Sequence, residues 1–309
     1  MPQVRFDRMV PSEVVARREA CNLAYLPVGS LEWHGPHMPF GTDYLTVAYL
    51  AEEAARRFGG VAFPPMFYGE VRYHLQECRL EWRHSYSKEM QVPEEFASAF
   101  PLQGEDGAYG YACPTQPDDG PPAEVPLPFS LEEQQAAFAE LIARTLLSIH
   151  LYGFRRILLL PGHGPNPEPC RQAEEIYRQN VARRSAFGPP AQTKTWFYIE
   201  AAKESEPLLK NHWIHADKFE GSLTAVAAPG TVHPELLPPP GELVPAYLGH
   251  PYLTETDGYN PEYEKIWYSF DALDPRSGTS EEYGRGQWEA IVEAFGGVVA
   301  EFLTPATRS

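Results

Sequence analysis

The 309-residue chain predicts an α/β fold with a largely parallel central sheet and flanking helices. Short apolar runs alternate with helical stripes, one long stripe feeds directly into an apolar run, and the segments after three of these runs carry imidazole and carboxylate groups. Parallel strands need crossover connections, which the helices supply, and open sheets of this kind place their sites at the carboxyl ends of the strands.

Taken in order, Ala24 to Val28 is a short apolar strand broken by Gly29-Ser30, and the irregular backbone after it carries Glu32, His34, His37 and Asp43. From Thr46 to Phe58, Val47, Leu50, Ala51, Ala54 and Ala55 form a helical stripe that stops at Gly59-Gly60, and Val61-Ala62-Phe63 enters a second strand. The capping-box pattern Ser130-Leu131-Glu132-Glu133 opens a long helix through Ala137, Leu141, Leu146 and Ile149 to near Gly153. That helix leads into a buried strand, Arg156 to Leu160. A tight polar turn, Pro161-Gly162-His163-Gly164-Pro165-Asn166, precedes a helical segment near Pro167 to Arg183. The aromatic run Thr193 to Ile199 reads as a further strand, and the loop beyond it holds Trp213, His215 and Glu220.

The pattern breaks between Tyr68 and Phe129. Gly104 to Pro128, rich in Gly, Pro and acidic residues, reads as a long loop. Within Val71 to Met90, His74, Cys78 and Glu81 share a helical face; a solvated amphipathic helix is preferred there over a separate metal site, because no second ligand group stands at matching spacing. The chain is expected to be one domain, 1–309, with an insertion around 69–129 that walls a pocket or meets a neighbouring subunit. The aromatic stretch from Tyr247 to Tyr268 suits an oligomer interface and a locally folded cover equally.

Composition narrows the function by exclusion. A formal net charge of -17, without a basic patch interleaved with aromatics, argues against nucleic acid and anionic membranes as partners. No run approaches the ~20 apolar residues of a membrane span, and the start of the chain lacks the apolar stretch of a signal peptide. Cys21, Cys78, Cys113 and Cys170 are scattered without paired spacing, as reduced thiols of a cytoplasmic protein would be.

Imidazole and carboxylate together suit zinc, manganese or iron, and a carboxylate can bridge two ions. Glu32, His34 and Asp43 at one strand end, His163 at a second, and His215 with Glu220 after a third would converge on one site. The competing reading of the first loop, a polar surface turn whose histidines cap backbone groups, weakens as the second and third clusters are added. Trp33 is expected to anchor its loop in the protein, while Trp213 suits stacking on a flat substrate and core packing equally.

At this point the chain resembles the creatininase (creatinine amidohydrolase) family, whose members carry Glu-x-His-Gly-x-His-x-Pro-x-Gly-Thr-Asp, Gly-His-Gly-Gly-Asn and His-Ala-Gly-x-x-Glu-Thr. The first is nearly intact at Glu32 to Asp43, the second survives at Gly162 to Asn166, and the third at His215 to Gly221. Asp274-Pro275-Arg276 and Ser280 to Gly284 look like the segment before the family's last helix. The resemblance implies a creatininase-like fold with two divalent ions per chain, Glu32 and His163 holding one, His34 the other, and Asp43 bridging. Creatininase itself takes a further carboxylate two residues after the middle histidine; Pro165 stands there, so Glu220 is expected to supply it. His215 would shuttle a proton, His37 would support the ligands through its second ring nitrogen, and Asn166 would back the ligands or meet substrate. The expected reaction opens a small cyclic amide or related carbon–nitrogen bond. Hydrolysis of a cyclic keto-polyol such as a keto-inositol is the alternative, and a silent scaffold is the alternative of another class. The family also implies a homo-oligomer, with a hexamer as its form.

Overall fold

The computed structural model describes residues 3–32, 34–68, 131–184, 188–205, 209, 214–239, 244–245, 267–268 and 273–304. The expectations for Trp33, Trp213, Cys78, Cys113, the face shared by His74, Cys78 and Glu81, the cap at Ser130 and most of the aromatic stretch after Tyr247 lie outside these residues.

Among the described residues four parallel strands form the central sheet in the order β2-β1-β3-β4: β1 (Ala24–Val28), β2 (Val61–Ala62), β3 (Arg156–Pro161) and β4 (Gln192–Thr195). Two helices, α3 (Leu131–Leu151) and α4 (Pro167–Ala182), share one apolar layer with Ala24, Leu26, Val28, Ile157 and Leu159. Helices α2 (Thr42–Phe58), α5 (Tyr198–Ser205), α6 (Lys218–Ala227) and α7 (Glu281–Leu303) share the other with Leu23, Tyr25, Leu158 and Leu160. The two-residue period of a strand thus divides each continuous apolar run between two layers. Each fully buried Leu or Ile contributes roughly 1.5–3 kcal/mol. An N-terminal helix, α1 (Pro11–Ala20), precedes β1, and β5 (Val244–Pro245) pairs antiparallel with β6 (Trp267–Tyr268).

Proline in β1 is tolerated because of where β2 stops. The Pro27 carbonyl accepts from Met66 N–H on the β2 side, so its ring nitrogen faces that side too, beyond the last β2 residue, and the β1–β3 ladder loses no donor.

Two boundaries differ from the sequence reading. The run Thr193 to Ile199 is not one strand: β4 ends at Thr195 and α5 begins at Tyr198. Trp196 N–H still donates to Leu159, but the next β3 donor would be residue 161, a proline without an N–H. The aromatics pack instead on the helix side, Tyr198 buried and Trp196 half-buried and stacked on Phe295 of α7 at 4.5 Å. The second difference is that α2 starts at Thr42, so Asp43 occupies a first helical turn and not irregular loop. Its stop at Gly59-Gly60 is as read, both glycines holding φ of +84°.

Candidate metal centre

Two glycines let the first and second loops close on α2. A Cβ on Gly162 would lie 2.1 Å from the Asp43 carbonyl oxygen, and one on Gly29 2.5 Å from the Tyr44 Cα, so only glycine allows the ends of β3 and β1 to approach the first turn of α2. Asp43 in that turn and Glu220 in the first turn of α6 stand where the helix dipole favours negative charge. Asp217 caps α6 by accepting from Glu220 N–H at 2.9 Å.

These elements bring Glu32, His34, Asp43, His163, His215 and Glu220 into one buried cluster, each at most 5 % exposed. His163 Nδ1 lies 3.0 Å from Glu32 Oε2 and 3.2 Å from Asp43 Oδ2. His34 Nε2 lies 3.4 Å from the other Asp43 oxygen, 3.5 Å from Glu220 Oε2 and 3.8 Å from Glu32 Oε2. The His215 ring stacks on His34 with centroids 4.4 Å apart, and its Nδ1 is 3.9 Å from Glu32 Oε2. His34 Nδ1 faces the Glu32 carbonyl at 3.1 Å; donating there directs the Nε2 lone pair at the carboxylates, the tautomer a ligand requires.

Charge explains what such a cluster is suited to hold. Burial opposes the charged form of His163, but Glu32 and Asp43 outweigh it and push the pKa up to about 10. Burial likewise opposes charge on His34, and Glu220 and Asp43 raise its pKa well above the usual value. Burial would lift Asp43, yet His34 and His163 hold it below the ordinary carboxylate range, while for Glu32 burial prevails and raises it. Three buried carboxylates therefore hold protons on the facing imidazoles, and divalent cations can take the place of those protons. Three sets of donor atoms lie close enough together to share an ion: Glu32, Asp43 and His163; His34, Asp43 and Glu220; and Glu32, His34 and His215. Among the described residues His34 Nε2 has no hydrogen-bond partner, as an imidazole directed at a cation would not. The residues present fit a metal.

The remaining expected residues fall around this cluster. Asn166 is buried at the start of α4, and neither polar atom of its side-chain amide has a hydrogen-bond partner among the described residues. His37 is also buried, and its Nε2 meets the Ala216 carbonyl at 3.0 Å, on the backbone next to His215. The sequence reading missed Ser30, whose hydroxyl donates to Asp43 Oδ2, and the cap at Asp217. A signal existed for the second, since Asp-x-x-Glu before a helix is a capping pattern. The Asp217 carboxyl is pushed up to about 8 by burial and by Glu220.

A family profile described as Creatininase, creatinine amidohydrolase, matches residues 7–99 and 91–298. The chain belongs to the creatininase family. Among solved structures, a creatinine amidohydrolase (creatininase) superposes with a TM-score of 0.62 at 18 % identity, covering 99 % of this chain and 100 % of that one. A creatininase described as a Mn form and a mutant described as Zn-Zn type superpose with TM-scores of 0.61 and 0.62, each at 18 % identity, covering 98 % and 99 % of this chain and 100 % of theirs. A curated relative, 3-dehydro-scyllo-inosose hydrolase of Thermotoga maritima, is 38 % identical over 71 residues, a match that spans 23 % of each chain.

The creatininase fold accounts for the parallel sheet and for the acidic and histidine cluster at its strand ends. Glu220, expected to make good the carboxylate absent at Pro165, stands 3.5 Å from His34. No helix among the described residues is long and apolar enough to cross a membrane.

Proposed function

We propose that this creatininase-family chain is a metal-dependent hydrolase that opens a small, polar, cyclic amide or a related carbon–nitrogen bond. The observation that carries the reading is the buried cluster of Glu32, Asp43, Glu220, His34, His163 and His215. Two divalent ions per chain suit it, zinc foremost, with manganese and iron as the other candidates. Glu32 and His163 would hold one and His34 with Glu220 the other, and Asp43, which turns one oxygen to each imidazole, would contact both. Ions so held polarise a substrate carbonyl and acidify water into a nucleophile near neutral pH.

The chain's own groups do the rest. His215, stacked on His34 and near Glu32, carries a proton to the leaving nitrogen. The Asn166 amide, buried with neither polar atom partnered among the described residues, would hydrogen-bond substrate or a ligand carboxylate. Burial of the cluster keeps bulk water from competing with these contacts. A second reading, hydrolysis of a cyclic keto-polyol with carbon–carbon cleavage, is favoured by the segment shared with the 3-dehydro-scyllo-inosose hydrolase. We further propose a cytoplasmic homo-oligomer with a hexamer as its form, which light scattering would test against the single-chain mass of 34.7 kDa.

The deciding experiment is elemental analysis after metal-replete purification, followed by assay on creatinine, formamido compounds and 3-dehydro-scyllo-inosose. Two ions and turnover of an amide are expected. Less than about half an ion per chain would defeat the metal reading and favour a silent scaffold. Turnover of the keto-inositol alone would select the second reading.

A further inference from the structure

Ala216 is the one non-glycine among the described residues with a positive φ, 54°, and it is fully buried between His215 and the cap of α6. An alanine does not adopt the left-handed conformation unaided, because its Cβ crowds the following carbonyl. Both of its peptide groups are held. Its N–H donates to Glu220 Oε2 at 2.6 Å, and its carbonyl accepts from His37 Nε2 at 3.0 Å. His37 is anchored in turn, since its own carbonyl accepts from His233 N–H at 2.7 Å and its side chain is fully buried. The reversal at Ala216 lets His215 lie over His34 while Asp217, two residues on, caps the helix that carries Glu220.

We propose that His37 is a positioning residue for His215: with Glu220 it clamps Ala216 in the left-handed conformation, and the clamped turn sets the His215 ring over His34. The functional weight of this rests on the reading of His215 as proton carrier. The clamp itself does not, so it can be tested without substrate.

The test compares full-length, zinc-supplied wild type, His37→Leu, His37→Gln, Ala216→Gly and the double variant His37→Leu with Ala216→Gly. If His37 enforces the strained turn, glycine relieves more strain while His37 is present. Ala216→Gly should raise Tm by roughly 2–4 °C in the wild-type background and by clearly less in the His37→Leu background, where the Glu220 bond alone holds alanine in the turn. The ring nitrogen-15 resonances of His215 should shift in His37→Leu and return toward wild type in His37→Gln, whose amide N–H reaches the same carbonyl. An equal glycine effect in both backgrounds, or a fall in Tm on Ala216→Gly alone, overturns the clamp. So does an unchanged His215 signal in His37→Leu. If His37→Leu does not fold, His37→Gln carries the test, and loss of the wild-type His215 signal in it overturns the proposal. Each of these outcomes leaves the hydrolase reading standing.

Discussion

Replacing Glu220 separates its two jobs. One carboxylate oxygen accepts from Ala216 N–H at 2.6 Å and faces His34 Nε2 at 3.5 Å, and the residue is 3 % exposed. Glu220→Gln keeps an oxygen for Ala216 but removes the charge that would hold an ion. It forfeits about 0.3–1 kcal/mol of helix-dipole stabilisation and the attraction to a protonated His34, and it relieves the repulsion that raises Asp217, so metal-free stability should change by no more than about 1–2 kcal/mol. Glu220→Ala also leaves a buried N–H unpaired, a further loss of about 1–3 kcal/mol, or a drop in Tm of roughly 3–10 °C relative to the glutamine variant. Loss of a direct ligand should exceed the ~10–100-fold loss of affinity typical of outer partners, so both variants should retain one ion in place of two. Scanning calorimetry in chelator reads the first effect and elemental analysis the second. Two ions retained by Glu220→Gln would refute its role as ligand, and equal stability of the two variants would refute the importance of the Ala216 bond.

Three further outcomes are expected. His34→Ala should lose metal together with activity, whereas His215→Ala should keep most metal and lose turnover by on the order of 10²–10⁴; equal loss of metal in both would place His215 among the ligands. Because the folded pKa of His163 stands near 10, above its ordinary 6.5, its stabilising contribution is complete below about pH 6.5 and is lost as pH rises through 10. Tm in chelator should therefore fall across that window, and a flat profile would refute the charge balance drawn for the cluster. Gly284→Ala would place a Cβ 2.1 Å from the Ser222 carbonyl oxygen, forcing α6 and α7 apart. A loss of roughly 1–3 kcal/mol is expected by thermal unfolding, and an unchanged Tm would show that the helices part freely.

Much of the fold was legible because it is driven by local period and local stops. β1 occupies the run expected of it, β3 extends one residue beyond, and α2 ends at the paired glycines, since an apolar run long enough for two buried faces and a glycine with positive φ act within a few residues. The aromatic run around Trp196 was not legible, because such residues suit strand and helix alike and the choice fell to Pro161, on a different strand.

The sequence by itself determined the chemistry of the site: carboxylates and imidazoles are ligands by virtue of their atoms, and their order along the chain marks the family. Only tertiary structure decided which atoms face each other. That Asp43 divides its oxygens between His34 and His163 depends on a glycine at each of two strand ends. That His37 holds Ala216 depends on a contact between residues 179 apart in sequence. A hydrogen bond acts over about 3 Å, and nothing local in the sequence encodes which distant backbone will come within that reach.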